Sequence, residues 1–359
     1  LVKEAITVKE TDLMDRLPNA LQACLANVPN TRLETTEREV VMPNGIRTDL
    51  VFGLRILGRQ KRLLVEARGS GQPRQAREAV EQLRRAIEGQ PQGAYPVFAA
   101  PFVSEASAAI CRGSETGYFD LAGNCRLALD DSYVEVRSPE NPFRERRSGI
   151  SLFSPKSSRI LRVLLNEPRR EWRVQQLASA AGVSIGLASK IKRQLEEREW
   201  AKTEEGGVRL TQPDSVLQAW ASAYGYKQNE VFEYYTLETP GEAETAVADW
   251  CRESGVEYAL TGFSGARLSS PRVRYNRASI YVSDRIEDLA MNTRLKRVDS
   301  GGNTLLLRPY DDGVFDGARD LYGLRVVSPV QLYLDLKSMA GRGEEAAEEI
   351  LIRELRPTW

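Results

Sequence analysis

Residues 172–198 read WRVQQLASAAGVSIGLASKIKRQLEER. Two helical patterns, 175–181 and 184–198, are separated there by Gly182-Val183. In the second, Ala188, Ile191 and Leu195 recur at helical spacing and must share the side that faces a core. Ser184 stands where a helix cap is expected, because its hydroxyl can accept from a first-turn N–H. Opposite the apolar side lie Gly186, Ser189, Lys190 and Arg193, short polar groups near the start and cations farther along. Upstream, residues 157–165 form a further helical pattern, stopped by Asn166-Glu167-Pro168.

Downstream, strand-like runs at 200–203 and 208–211 are joined by Glu204-Glu205-Gly206-Gly207. Helix, helix, glycine-containing turn, helix and a two-stranded wing make the plan of a winged helix-turn-helix over 153–215. The 184–198 helix suits entry into a DNA major groove, with Ser184, Gly186 and Ser189 toward bases and Lys190 and Arg193 toward phosphates. Arg209 in the wing and Arg169, Arg170 and Arg173 before the second helix extend the phosphate track. The plainer alternative is a solvated basic face, or a winged helix that contacts only protein.

The chain has 359 residues, 50 basic and 50 acidic, and no histidine. Its length suggests two or three domains. Without histidine there is no Ser-His-Asp or Cys-His nucleophile, no HExxH zinc site and no imidazole base, so any chemistry rests on carboxylates, Lys, Arg, Tyr, Ser or Cys. Cys24, Cys111, Cys125 and Cys251 stand singly with no CxxC pair, which argues for buried cysteines in a reducing compartment. No apolar run approaches the ~20 residues of a membrane span, and residues 1–5 lack a signal-peptide core, so a cytoplasmic protein without a membrane partner is expected. The first residue is Leu rather than Met, and residues upstream of it are expected. Zero net charge conceals a gradient: 150–215 carries 12 Lys and Arg against 8 Asp and Glu, and 216–359 carries 17 against 22. The middle of the chain is basic and its end acidic.

Residues 1–145 alternate helix and strand patterns. Helices are expected at 11–25, at 73–87 behind Pro73, and at 105–111; strands at 39–42, 49–56, 62–68 and 95–102, with one or two more within 118–136. Helices alternating with strands must cover the faces of a sheet, hence an α/β sandwich. Ser138 to Phe143, followed by Arg144, Arg146 and Arg147, reads as a linker, and a boundary is expected near 140–152. Residues 228–359 resume an α/β pattern with strands at 231–236, 258–262, 278–282 and 304–308 and helices at 242–254, from Ser328-Pro329, and at 344–355.

Asp49 opens one strand of the first segment, and Glu66-Ala67-Arg68 ends the next, so Glu66 and Arg68 share a face. Two carboxylates and a cation brought together suit a magnesium-dependent phosphodiester hydrolase. About 100 residues here resemble the PD-(D/E)XK nuclease fold, a restriction-endonuclease-like sandwich, with Asp49 and Glu66 at its two acidic, metal-binding positions and Arg68 where the family has lysine. A guanidinium cannot act as a base, so the resemblance implies a catalytic set of Asp49, Glu66 and Arg68 that is degenerate, in a fold kept without its chemistry.

The third segment carries Tyr258 to Ala266 (YALTGFSGA) and Val327 to Leu336 (VSPVQLYLDL). With the winged helix in front, residues 150–359 resemble the AbiEi-type antitoxins and transcriptional regulators of type IV toxin-antitoxin systems. That resemblance implies a regulator that binds double-stranded DNA and has a cognate toxin as partner. A homodimer is expected because a single winged helix reads too few bases for strong specificity, with 228–359 as the domain for partner or self contacts. Gly262 to Gly265 also resembles the turn of a nucleotidyltransferase, whose next strand bears two metal-binding carboxylates; here 278–282 is ASIYV, so the domain is read as nucleotidyltransferase-like and degenerate. Arg267, Arg272, Arg274 and Arg277 could grip an anion or simply face solvent. No cofactor is required on this reading, and magnesium enters only if the Asp49 and Glu66 site is active. The alternatives are a metal-dependent nuclease targeted by the winged helix and a non-enzymatic plasmid-maintenance or assembly factor.

Overall fold

A computed structural model describes residues 10–26, 28–88, 94–129, 132–137, 142–143, 151–269, 275–339 and 341–359. The expected linker, apart from Pro142 and Phe143, and Arg144, Arg146 and Arg147 lie outside the described residues. Contacts divide the chain into two compact units, Leu1–Ile150 with Glu197–Glu199, and Ser151–Glu196 with Trp200–Trp359. Apart from Glu197–Glu199, the segments 153–215 and 228–359 therefore belong to a single compact unit.

The first unit is a seven-stranded sheet between helices. Its elements are α1 (Glu10–Leu25), β1 (Thr31–Val41), β2 (Arg47–Ile56), β3 (Arg59–Ala67), α2 (Pro73–Ile87), β4 (Ala94–Ala100), α3 (Glu105–Gly113), β5 (Gly117–Asp120), β6 (Cys125–Leu129) and β7 (Ser132–Val136). The strands lie side by side in chain order, β3, β4 and β5 parallel and the other neighbours antiparallel. One face packs under α1, where Leu13, Leu17 and Leu21 meet Phe52, Leu63, Val97 and Phe119. Ala76, Ala79 and Leu83 of α2 and Ala108 of α3 cover the other face. The α2 stripe recurs every three or four residues because only that spacing keeps one helical face on the sheet.

Two expectations need correction here. β1 starts at Thr31, well before the expected 39, because it is a sheet edge whose residues are nearly all polar and exposed, so no alternation of apolar residues marks it. A register shift lies between Leu33 and Thr35, and Glu39 has φ +52°. The closing segment holds three strands instead of one or two, since Asp120 caps a tight turn between β5 and β6 by accepting from the backbone N–H groups of Ala122 and Asn124, each at 2.9 Å.

The second unit begins with α4 (Pro155–Asn166), α5 (Val174–Ala180), α6 (Ile185–Glu197), a hairpin of β8 (Ala201–Glu204) and β9 (Gly207–Leu210), and α7 (Pro213–Ala223). α7 runs from the end of the 153–215 segment into residues for which no element is expected, although Pro213 at its start and buried Val216, Leu217 and Trp220 are ordinary helix signals. A mixed sheet follows, made of β10 (Glu230–Tyr235), β11 (Tyr258–Leu260), β12 (Ala278–Val282), β13 (Lys296–Arg297), β14 (Thr304–Arg308), β15 (Arg319–Leu321) and β16 (Leu324–Val326), in the order β13-β10-β14-β12-β11-β16-β15. One face packs on α8 (Pro240–Ser254) and α10 (Ile286–Asn292) through Val247, Cys251, Ile286 and Leu289. α9 (Gly262–Ser269), α11 (Pro329–Lys337) and α12 (Arg342–Ile350) pack against one another, and a π-helical turn continues α12 through Leu355. Every residue of α11 from Val330 to Leu336 is buried, as a helix packed on several sides requires. No helix among the described residues is long and apolar enough to cross a membrane.

Candidate nucleic-acid interface and carboxylate cluster

α6 follows α5 through Ala181 to Ser184, where Gly182 takes φ +59° and Val183 N–H returns to Ala178 O at 2.9 Å. The Ser184 hydroxyl accepts from Leu187 N at 3.2 Å, which makes it the cap. Ala188, Ile191 and Leu195 are fully buried, so helical geometry leaves Ser184, Gly186, Lys190 and Arg193 exposed and Ser189 half-buried. Lys190 and Arg193 make no ion pair among the described residues; Lys192, on the flank, lies 3.5 Å from Glu196. The exposed face of α6 thus carries two uncompensated cations.

The other arginines differ. Arg173 is exposed before α5. Arg209 on β9 lies 3.9 Å from Glu204, itself bound to Lys202, so a phosphate at Arg209 competes with a carboxylate already there. Arg169 turns away from the expected track and donates to Trp359 O at 2.7 and 3.1 Å. Arg170 is stacked 3.7 Å from the Trp172 ring and bonded to Glu167 at 2.9 Å. Trp172 is fixed in turn by two 2.8 Å backbone hydrogen bonds with Val208, so Arg170 serves to hold the base of the hairpin.

In the first unit, β2 and β3 bring Asp49, Glu66 and Arg68 together as the strand arithmetic requires. Arg68 Nη1 donates to Glu66 Oε2 at 2.9 Å and to Asp49 Oδ2 at 3.3 Å, and Nη2 donates to Gln82 Oε1 on α2 at 2.8 Å. Asp49 Oδ2 also accepts from Ala67 N at 2.9 Å. Glu66 is fully buried, and its Oε1 has no hydrogen-bond partner. Burial, then the Asp49 charge, pushes the Glu66 carboxyl up to about 7, against the opposing pull of Arg68. A dication needs the space between these carboxylates, and Arg68 Nη1 occupies it. Among the described residues no group of three or more His, Cys, Asp or Glu side chains is placed to hold a metal ion. As arranged, the cluster holds a guanidinium between its two carboxylates.

The Gly262 turn is a packing device. Gly262 has φ +53°, and a Cβ on Gly265 would lie 2.9 Å from Leu332 and 3.0 Å from Val326. All five residues of β12 are buried and none is acidic. Of the nearby cations, Arg267 lies 3.3 Å from the buried Glu244 and Arg277 lies 2.7 Å from Glu233, while Arg272 and Arg274 lie outside the described residues.

Sequence reasoning missed what fills the space beside that turn. Asp335 of α11 is wholly buried; its Oδ1 accepts from Tyr224 OH at 2.5 Å, Gln331 Nε2 at 3.0 Å and Tyr281 OH at 3.1 Å, and its Oδ2 from Thr261 Oγ1 at 2.5 Å. Burial raises its carboxyl, and the four donors pull it back. Gln331 Oε1 accepts from Arg162 of α4 at 2.6 Å, so one amide bridges a buried guanidinium and a buried carboxylate. Among the described residues the hydrogen-bond partners of Arg162 are the neutral Ser158, Tyr310 and Gln331, and its guanidinium lies 4.9 Å from the Trp220 ring. A polar residue four before an acid inside the apolar run Val330 to Leu336 is the sequence signal that betrays such a network.

Residues 209–356 match the model of a transcriptional regulator family, AbiEi antitoxin, type IV toxin-antitoxin system. The AbiEi match begins at Arg209 on β9 and runs through α7, the mixed sheet and α12; it leaves out α6 and the whole first unit. No curated protein matches the chain. Among solved structures, a repair endonuclease from Pyrococcus abyssi is similar at 11% identity and TM-score 0.24, covering 32% of this chain and 47% of that one. A complex of EndoMS with double-stranded DNA is similar at 12% identity and TM-score 0.25, covering 33% and 46%. The chain thus spans a little under half the length of these structures.

Proposed function

We propose that the chain is a DNA-binding transcriptional regulator of the antitoxin kind, with α4 to β9 acting as a winged helix-turn-helix and α6 as its recognition helix. The exposed face of α6, where Lys190 and Arg193 stand without acidic partners, carries this reading; the family match to residues 209–356 supports it. Ser184, Gly186 and Ser189, at the N-terminal end of that face, approach the bases, while Lys190, Arg193 and Arg173 neutralise phosphates. Arg209 joins them where a phosphate displaces it from Glu204. A single recognition helix reads few base pairs, so the bound species is a homodimer on two half-sites. A cognate toxin and a cytoplasmic location belong to the same proposal, and the C-terminal sheet is a nucleotidyltransferase-like fold without catalytic carboxylates. Replacing Lys190 and Arg193 together by alanine is expected to weaken duplex binding by about tenfold or more and to lower the salt slope by about two units, one per lost phosphate contact. Titration by fluorescence anisotropy at several salt concentrations reads both quantities, and light scattering on the complex reads its mass. An unchanged slope sinks the recognition-helix assignment, and a monomer on saturated DNA sinks the dimer.

The first unit we take as a restriction-endonuclease-like sandwich that has lost its chemistry. Arg68 holds both carboxylates and cannot take a proton from water. No cofactor is proposed. Incubation with supercoiled, linear and single-stranded DNA in magnesium or manganese is expected to leave the DNA intact. Cleavage abolished by Glu66→Ala would promote the nuclease to first place.

A further inference from the structure

Between Ser151 and Tyr224 one large apolar side chain is left exposed among the described residues: Ile185, the first residue of α6, with 54% of its surface open to solvent. A lone exposed isoleucine is common on any protein surface, and the place of this one is what matters. It follows the Ser184 cap, stands next to Gly186, and lies on the strip of the helix that runs on through Ser189 and Lys192. The far end of that strip is closed, since Glu196 lies 3.5 Å from Lys192 and accepts from the Thr203 hydroxyl of β8. Its near end, at Ile185, is open. Gly186, Lys190 and Arg193 make the neighbouring strip.

Gly186 is not there for the fold. Its φ is not left-handed, and a Cβ placed on it would meet no atom within 4 Å. Glycine destabilises a helix relative to alanine, so α6 gives up stability where its exposed face begins and presents bare backbone there.

We propose that α6 reads a thymine, with Ile185 packed on the C5-methyl group of the base and Gly186 letting the helix backbone approach closely enough for that contact. The inference rests on the reading of α6 as a recognition helix, whose first turn meets base edges while Lys190 and Arg193 meet phosphates. In the major groove of unmodified DNA the thymine methyl is the apolar group that a base pair presents, beside hydrogen-bond donors and acceptors. The Ile185 side chain neither donates nor accepts, so it gains by covering that methyl and would strip water from any other base edge without replacing the hydrogen bonds. Its branched Cβ restricts χ1 and keeps the contacting surface in place.

The test uses a duplex selected by the parent chain from a randomised, unmodified library and then resynthesised with each thymine in turn replaced by deoxyuridine. That replacement removes one methyl and keeps every hydrogen bond. At one position the parent is expected to lose about fourfold in affinity, the worth of one buried methyl. Ile185→Ala, already weakened on the thymine duplex, is expected to be indifferent to the replacement there. Gly186→Ala is expected to raise the melting temperature of the free chain by roughly 2 °C and to weaken duplex binding about fivefold or more, opposite movements that a purely structural glycine does not produce. A selected site without a preferred thymine, or equal sensitivity of parent and Ile185→Ala at every thymine, overturns the methyl contact. Gly186→Ala binding as tightly as the parent overturns the close approach. Anisotropy titrations of the same duplex in increasing salt keep the two levels apart. If Lys190 and Arg193 carry the salt slope and the deoxyuridine test fails, this inference alone falls; if the parent binds no duplex, both fall.

Discussion

Replacing Arg162 by methionine is expected to lower the unfolding free energy of the second unit by about 3–5 kcal/mol, the loss typical of removing one charge from a buried set. Arg162 and Asp335 are both fully buried and do not touch; Gln331 stands between them, accepting from the guanidinium at 2.6 Å and donating to the carboxylate at 3.0 Å. Without Arg162 the Gln331 oxygen loses its charged donor, and Asp316 loses the positive charge that holds its carboxyl down against burial. Asp335→Ala strands Thr261, Tyr224 and Tyr281 in the same way and should cost a similar amount. Because the two charges act through one amide, the double variant should be less unstable than the sum of the singles by at least about 0.5 kcal/mol. Urea unfolding followed by circular dichroism provides all three values. A loss below about 1 kcal/mol in Arg162→Met, or strict additivity, would show that the bridge is incidental to the fold.

The second large effect concerns pH. Glu66 titrates at about 7 in the folded chain, above its ordinary 4.5, chiefly because it is buried and secondly because Asp49 is beside it. Between those values the native state holds a proton that the unfolded chain has released, so unfolding free energy falls as pH rises through the window and levels off above 7. A difference of about 2.5 pH units corresponds to about 3 kcal/mol. Glu66→Gln mimics the protonated form and removes that dependence. At pH 5 the variant and the parent should be nearly equally stable, and by pH 8 the variant should lead by up to about 3 kcal/mol. Melting curves across pH 5 to 8 measure the gap; parallel stability profiles would mean that Glu66 does not carry the proton.

What could be read ahead of the structure follows from how local each signal is. α2 and α6 were legible because their stripes, Ala76-Ala79-Leu83 and Ala188-Ile191-Leu195, are set by a helical period within a dozen residues. The convergence of Asp49, Glu66 and Arg68 needed only two adjacent strands and their alternation. β1 escaped notice because an exposed edge carries no apolar period, and α7 because it fell between two segments treated as separate domains. Arg169 and Arg170 misled: their charge was visible, but the Trp359 carbonyl and the Trp172 ring that hold them were not. The Arg162, Gln331 and Asp335 bridge joins residues up to 173 positions apart, and no short-range pattern encodes such a meeting.

The outer strand β1 has a consequence for how the chain behaves in concentrated solution. With 50 charges of each sign it carries no net repulsion at neutral pH, so colloidal protection has to be local. An eleven-residue strand with an open edge is the kind of template on which a second molecule adds its own strand and from which aggregates grow. Arg32, Glu34, Glu37, Arg38 and Glu39 put charges of both signs along it, and the register shift after Leu33 and the left-handed Glu39 break its flatness. A neighbour adding edge to edge would face mismatched charges and a bent ladder, so the molecule resists fibrous self-assembly through the shape and charge of a single strand.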